Sequence, residues 1–523
     1  MKTPESSQPV LEKESAPRAA LFARRSALWW LLMGLIFAVG LAVRLYDLAA
    51  PPVDFHPVRQ LHSALIARGM YYENHPGIPE WQRELAVSQW RTEGLIEPPV
   101  FERLTAWTYN LLGSADLRAP RLYAVLFWMI AAVFVTLLAV EFAGRGGALA
   151  AALVFLIWPY GVIASRAFQP EPLMIALITA ALWAAVQWSR RGAGWGWTIA
   201  AGLLAGAAVY SKSVAVFFLV PPLAVIVLSR CGWRAALRSP RVWTMAALAV
   251  IPYAVYHING VYLQGYLVDQ FSLRFFPEMW LDPAFYLRWI SNLGRVFPFE
   301  LLLVALLGAF MLRQPARRAL LLAGFGGYFL YGMTLSHHIS THDYYHLPFF
   351  PLMAWGLAGA AESLFHNVRG PRWLAQAAVS LVLVAALVLN GYEARTAIKR
   401  SGAREQAQAW QEIGQSLEPG ASVAALVPDY GVGLKYYAWI NPQVWPTAAD
   451  VQFRESVGQS FDFAEFFSEQ VAGRDFFVVT MLDELDRQPE LKELLLSEYA
   501  LHREAEGFLI FDLRAPGAGQ GAE

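Results

Sequence analysis

Long apolar blocks recur along this chain of 523 residues, and no other feature constrains its fold as strongly. A block of roughly 17 to 25 apolar residues crosses the hydrocarbon core of a bilayer as a helix. Lipid offers no partners to backbone amides and carbonyls, so a spanning segment must satisfy its own. Such blocks begin near Ala27, Leu122, Ala148, Leu173, Trp195, Val214, Val242, Phe297, Ala319, Leu347 and Leu374, about eleven in all. Composition agrees, with 56% hydrophobic and only 16% charged residues, where a soluble chain carries about a quarter charged. The expected fold is therefore an all-α polytopic membrane core. Lys+Arg and Asp+Glu number 41 each, so the balance of charge points to no nucleic-acid partner. Cys231 is the only cysteine and leaves the redox compartment unread.

Local charge sets an orientation. The polar tail, residues 1–26, precedes an apolar block that reads as an uncleaved signal anchor. With that tail in the cytoplasm, alternate loops hold Arg145; Arg190 and Arg191; Arg230, Arg234, Arg238 and Arg241; Arg313, Arg317 and Arg318; and Arg369 and Arg372. The other loops hold Asp54, Glu171, Asp269, Asp282 and Asp343. This sorting follows the positive-inside rule and places the C-terminus outside. An alanine- and arginine-rich usage suits a bacterial inner membrane with a periplasmic C-terminal domain.

The membrane domain is expected over 27–392. Its first outer loop, 46–121, is too long for a simple connector. Pro57 to Tyr72 and Gly77 to Arg91 read there as juxtamembrane helices with Tyr71, Tyr72, Trp81 and Trp90 at the interface. A second such segment runs from Tyr262 to Leu293. After the last span, short apolar runs at 422–427, 475–480 and 508–513 alternate with helical stretches. They predict a small C-terminal α/β domain over 393–514 with a mainly parallel sheet. A disordered tail, 515–523, follows.

Polar residues of chemical interest gather in the outer loops. Asp54-Phe55-His56-Pro57-Val58-Arg59-Gln60 packs a carboxylate, an imidazole and a guanidinium behind the first span. A glycosyl transfer needs a base for the acceptor proton and cations for a departing phosphate. Asp54 suits the first need and Arg59 the second; the bland alternative is a charged interfacial loop. Glu97-Pro98-Pro99 marks an extended entrance to a helix, with Glu97 either exposed or in a substrate site. Ser165-Arg166…Glu171-Pro172 puts Glu171 at a helix start, as a simple anion cap or as a second acid facing Asp54. Lys212 breaks the positive-inside pattern, as a snorkelling lysine or as a ligand for donor phosphate. His337-His338-Ile339-Ser340-Thr341-His342-Asp343-Tyr344-Tyr345-His346 lacks clean zinc spacing. His342, Tyr345 and His346 read instead as hydrogen-bonding partners of a sugar or phosphate.

In their order, these clusters resemble the GT-C membrane glycosyltransferases, and in particular the family 39-like superfamily of protein O-mannosyltransferases and aminoarabinose transferases. An acidic motif after the first span is matched by Asp54. A Lys-Pro-Pro-Leu-like motif is matched by Glu97-Pro98-Pro99-Val100, and an Ala-Arg-Leu-Pro-like one by Ala119-Pro120-Arg121-Leu122. A Ser-Arg…Asp-Pro-Leu loop resembles Ser165-Arg166…Glu171-Pro172-Leu173, and a Lys-Gly segment resembles Lys212-Ser213. A late Tyr-Tyr-x-x-Pro pattern resembles Tyr344-Tyr345-His346-Leu347-Pro348. The resemblance spans roughly 27–390 and marks a divergent member. Asp-Phe-His stands for a pair of acids, and Glu97 stands where a lysine is usual.

The resemblance implies a glycosyltransferase with Asp54 as catalytic carboxylate and Glu171 as a second acid. Arg59, Lys212 and Arg166 would contact donor phosphate. His56, Gln60, Glu97, His342, Tyr345 and His346 would line the substrate site. The donor would be a polyprenyl-phosphate-linked sugar, used without a nucleotide sugar, and the acceptor a hydroxyl of a protein, lipid or glycan. No organic cofactor is implied; a divalent metal is left open. Two other classes remain: a transporter or flippase of a lipid-linked solute, and a non-catalytic binding protein. Transporters place ionisable residues within spans near the midplane, whereas here they cluster at one face.

Overall fold

The computed structural model describes residues 21–22, 26–95, 97–268, 275–367, 371–400, 402–456 and 462–516. Asp269 and Arg369, two of the charges used for orientation, lie outside the described residues. The chain divides into two compact units. The first comprises 1–48, 94–101 and 120–400; the second comprises 49–93, 102–119 and 401–523.

The first unit is helical, and each of the eleven expected starts falls within a few residues of a helix start or just past a kink. The apolar residues from Leu122 and from Ala148 form one helix, Arg118–Ile157, broken at Gly144 (φ 79°, ψ −172°). Only glycine adopts that conformation without strain. Among the described residues, six helices are long and apolar enough to cross a membrane by length and composition, or up to seven if the Pro283–Val296 and Phe299–Met311 pair, bent by 91°, is one span. The stricter count is smaller because two expected spans share Arg118–Ile157, Trp195–Ser211 has 17 residues and Phe299–Met311 only 13, and Pro315–Thr334 and Phe350–Asn367 are long enough but not sufficiently apolar. Ser26 caps the first helix, Ala27–Leu45, by accepting from the Trp29 amide. Close helix crossings rest on small residues. A Cβ on Gly308 would fall on the Gly356 carbonyl, and one on Gly359 on the Gly308 carbonyl.

In the second unit, the Pro57–Tyr72 and Glu80–Thr92 helices form a hairpin. Gly69 lets them meet, because a Cβ there would strike the Trp90 side chain. The aromatic residues assigned above to a membrane interface are largely taken up by internal packing. Tyr71 is buried, Tyr72 stacks on Trp439, and Trp81 meets the same ring edge-on. An aromatic ring with a polar tip suits a seam within a protein as well as a lipid headgroup layer, so composition could not separate the two.

The C-terminal sheet has five strands in the order β2-β1-β3-β5-β4: β1 (Val423–Leu426), β2 (Gln443–Val444), β3 (Phe476–Val479), β4 (Tyr499–Ala505) and β5 (Phe508–Pro516). The expectation of a mainly parallel sheet is corrected. β1 pairs in parallel with β2 and β3, while β5 runs antiparallel to both β3 and β4. β5 also continues through Ala515 and Pro516, where a tail was expected. β1 and β3 are buried throughout, as strands covered on both faces require. Trp445, Phe467, Phe477, Leu491 and Phe511 share the core beneath them.

Candidate active site

Two groups of the expected site residues assemble, one in each unit. In the first unit, Glu171 opens the Glu171–Arg190 helix, where exposed amides favour a carboxylate. Lys212 ends the Trp195–Ser211 helix in an extended conformation. Its Nζ forms a short ion pair with Glu171 Oε1 and lies 3.5 Å from Glu97 Oε1. The Lys212 and Glu171 side chains are 6% and 3% exposed, so this charge chemistry is nearly dry. The ammonium also lies 5.6 Å from the Tyr344 ring centre and 5.3 Å from that of Tyr345, within cation–π range. Glu171 Oε2 is buried with no hydrogen-bond partner among the described residues. Glu97, Glu171, Lys212 and Tyr345, singled out separately from the sequence, thus converge. Lys212 is engaged by two carboxylates, so these three side chains carry a formal charge of −1.

Arg166 is fully buried and donates from Nη2 to the Asp47 carbonyl at 2.8 Å. Next to it in sequence, Ser165 Oγ accepts from Arg44 Nε at 2.7 Å. His346 is also fully buried, with Nδ1 2.7 Å from the Tyr328 hydroxyl, which accepts from Trp289 Nε1 at 2.9 Å. Burial holds its imidazole down to about 3, although Asp343 acts in the opposite direction. It is therefore neutral near pH 7. His342 is half-buried, with Nδ1 2.7 Å from Thr341 Oγ1 and its ring beside those of Tyr344 and Tyr345. Among the described residues, no three His, Cys, Asp or Glu side chains are placed to hold a metal.

In the second unit, Asp54, His56, Arg59 and Gln60 sit at the start of the Pro57–Tyr72 helix. Gln60 is fully buried and donates from Nε2 to the Phe55 carbonyl at 2.6 Å and to Asp54 Oδ1 at 3.3 Å. That double contact ties the Asp54 loop to the first helical turn. Asp54, His56 and Arg59 remain half-buried, open enough to meet a ligand.

Sequence reasoning missed Tyr160, which is half-buried with its ring stacked on that of Phe350. It also missed Arg68, Gln89 and Trp439 of the second unit. Neither Tyr160 nor Arg68 stands in a recognisable motif.

Residues 96–258 match a family model described as dolichyl-phosphate-mannose-protein mannosyltransferase. Glu97, Glu171 and Lys212 all fall inside that stretch. Among curated protein sequences, none matches the chain. The crystal structure of ArnT from Cupriavidus metallidurans bound to undecaprenyl phosphate superposes with a TM-score of 0.59 at 16% identity, covering 93% of this chain and 98% of that one. The chain has the GT-C fold. The archaeal oligosaccharyltransferase AglB from Archaeoglobus fulgidus, in complex with an inhibitory peptide and a dolichol-phosphate, matches with a TM-score of 0.55 at 12% identity, covering 93% of this chain and 74% of that one. At these low identities the likeness is one of fold, and the apolar helices make the chain an integral membrane protein.

Proposed function

We propose that this GT-C protein is a membrane glycosyltransferase. It moves a sugar from a polyprenyl-phosphate donor to an acceptor hydroxyl on the outer face of a bacterial inner membrane. One observation carries the reading: the buried Glu97–Lys212–Glu171 cluster is formed by the very stretch that matches the mannosyltransferase family model. The undecaprenyl phosphate of ArnT and the dolichol-phosphate of AglB support a lipid-linked donor.

The acceptor hydroxyl attacks the anomeric carbon and the polyprenyl phosphate leaves, with inversion. Asp54 takes the acceptor proton, its carboxylate aimed by Gln60. Arg59 and Lys212 stabilise the charge that develops on the departing phosphate. Glu97 and Glu171 hold the Lys212 ammonium in place in a dry setting.

The test is transfer from a panel of radiolabelled polyprenyl-phosphate sugars by the full chain in lipid, with Asp54→Asn alongside. The expected result is use of one donor by the wild type and a loss of about 100-fold or more in the variant. Equal transfer by Asp54→Asn removes Asp54 from its role. No turnover of any donor by well-folded protein overturns the transferase reading.

A further inference from the structure

The loop that carries Asp54 is held by C-terminal residues. Its helix starts at His56, a non-glycine residue at φ 45°, with no side-chain cap of its own. Three turns on, Arg68 is buried at 3% exposure. Its Nη1 donates to the Tyr436 carbonyl at 2.6 Å, and its Nη2 donates to the Lys435 carbonyl at 3.0 Å and to Gln89 Oε1 at 2.8 Å. The guanidinium lies 3.8 Å from the Trp439 ring centre and 4.5 Å from that of Tyr436. A planar fork satisfied by two carbonyls and covered by two rings is a geometry that lysine cannot reproduce.

The same C-terminal segment reaches the other end of the helix. Asp429, Tyr430 and Gly431 form a turn packed against it, with φ of 56°, 56° and 71°. The imidazole of His56 is close enough to oppose the upward push of burial on the Asp429 carboxyl. Trp439 is also left-handed, at φ 56°. Left-handed non-glycine residues are strained and persist only where their surroundings enforce them. Here three of them, in residues 429–439, frame the contacts to one helix.

We propose that Arg68 is a positioning residue. Seated in the 429–439 segment, it fixes the helix that presents Asp54, and the C-terminal domain is thereby a working part of the enzyme. This rests on the transferase reading given above. Arg68 acts through the helix, because it stands about 16 Å along the axis from the helix start. Loss of its seat lets the first turn fluctuate, Gln60 ceases to aim Asp54, and the chemical step slows while donor affinity holds.

The experiment uses the full chain in lipid nanodiscs, with Arg68→Ala, Arg68→Lys and Trp439→Gly. The last removes the covering ring and relieves the left-handed backbone, so it keeps the domain folded. Amide hydrogen exchange over 57–66 is measured together with transfer kinetics. Exchange there is expected to rise at least tenfold in Arg68→Ala and Trp439→Gly, with the Glu171–Arg190 helix unchanged. The kcat should fall at least tenfold at constant donor KM, and Arg68→Lys should recover part of both. Unaltered exchange over 57–66, or faster exchange with unaltered kcat per folded molecule, overturns the proposal. If the wild type transfers no donor, the transferase reading fails on that result, while exchange still decides whether Arg68 holds the helix.

Discussion

Replacing Lys212 by methionine takes the cation from between Glu97 and Glu171. At 3.5 Å and an effective dielectric of about 20, the Lys212–Glu97 attraction alone is about 5 kcal/mol, and the Glu171 pair is closer. Desolvation offsets part of this, and removal of one partner from a buried pair costs about 3–5 kcal/mol net. The loss falls on the carboxylates left behind, whose side chains are 17% and 3% exposed. Glu171→Gln should therefore change sign with its background. In the wild type it weakens the pairing of a buried ammonium and destabilises. In Lys212→Met it removes a buried, repelled charge and restores part of the lost stability. Reversible unfolding in mixed SDS–detergent micelles, followed by tryptophan fluorescence on the four members of the cycle, measures both effects. If Glu171→Gln destabilises Lys212→Met as much as it destabilises the wild type, the three side chains do not act as one charge cluster.

Two further outcomes are expected. Gly308→Ala should destabilise by about 1–3 kcal/mol by overpacking, because the new Cβ meets the Gly356 carbonyl, whereas Gly326→Ala, with nothing within 4 Å, should stay within about 1 kcal/mol of the wild type; the same unfolding assay compares them. Burial raises the Glu93 carboxyl, but hydrogen bonds from His62 and Lys435 outweigh it and leave the group below its ordinary 4.5. The stability that wild type holds over Glu93→Gln is therefore full above pH 4.5 and is lost as pH falls through the lowered folded value, which thermal unfolding of both proteins from pH 7 to pH 3 will show.

The apolar helices were legible because lipid demands length and apolarity together, and both are written residue by residue. The convergence of Glu171 and Lys212 was not, because each has a sufficient local explanation: a helix start for one, snorkelling for the other. Only the tertiary fold shows that each satisfies the other. Three of five strands were visible as apolar runs. β4 was not, since Tyr499–Ala505 is an edge strand with exposed His502, Arg503 and Glu504 and so has no buried face to mark it. β2 has only two residues. Arg68 escaped notice because its partners are mainly backbone carbonyls, which any sequence supplies, and their positions are set by the π-helical turn Leu434–Ala438.

The contact between Arg68 and Tyr436 joins residues 368 positions apart. At the usual pace of synthesis, roughly 5–20 residues per second, about 20 to 70 seconds separate the emergence of the two partners. Throughout that interval Arg68 and Gln89 can bond to each other but lack the carbonyls of Lys435 and Tyr436, and Tyr72 lacks the Trp439 ring, so the second unit waits half-built while the intervening helices are made. The Pro57–Thr92 hairpin must therefore persist without its C-terminal seat until most of the chain has been made.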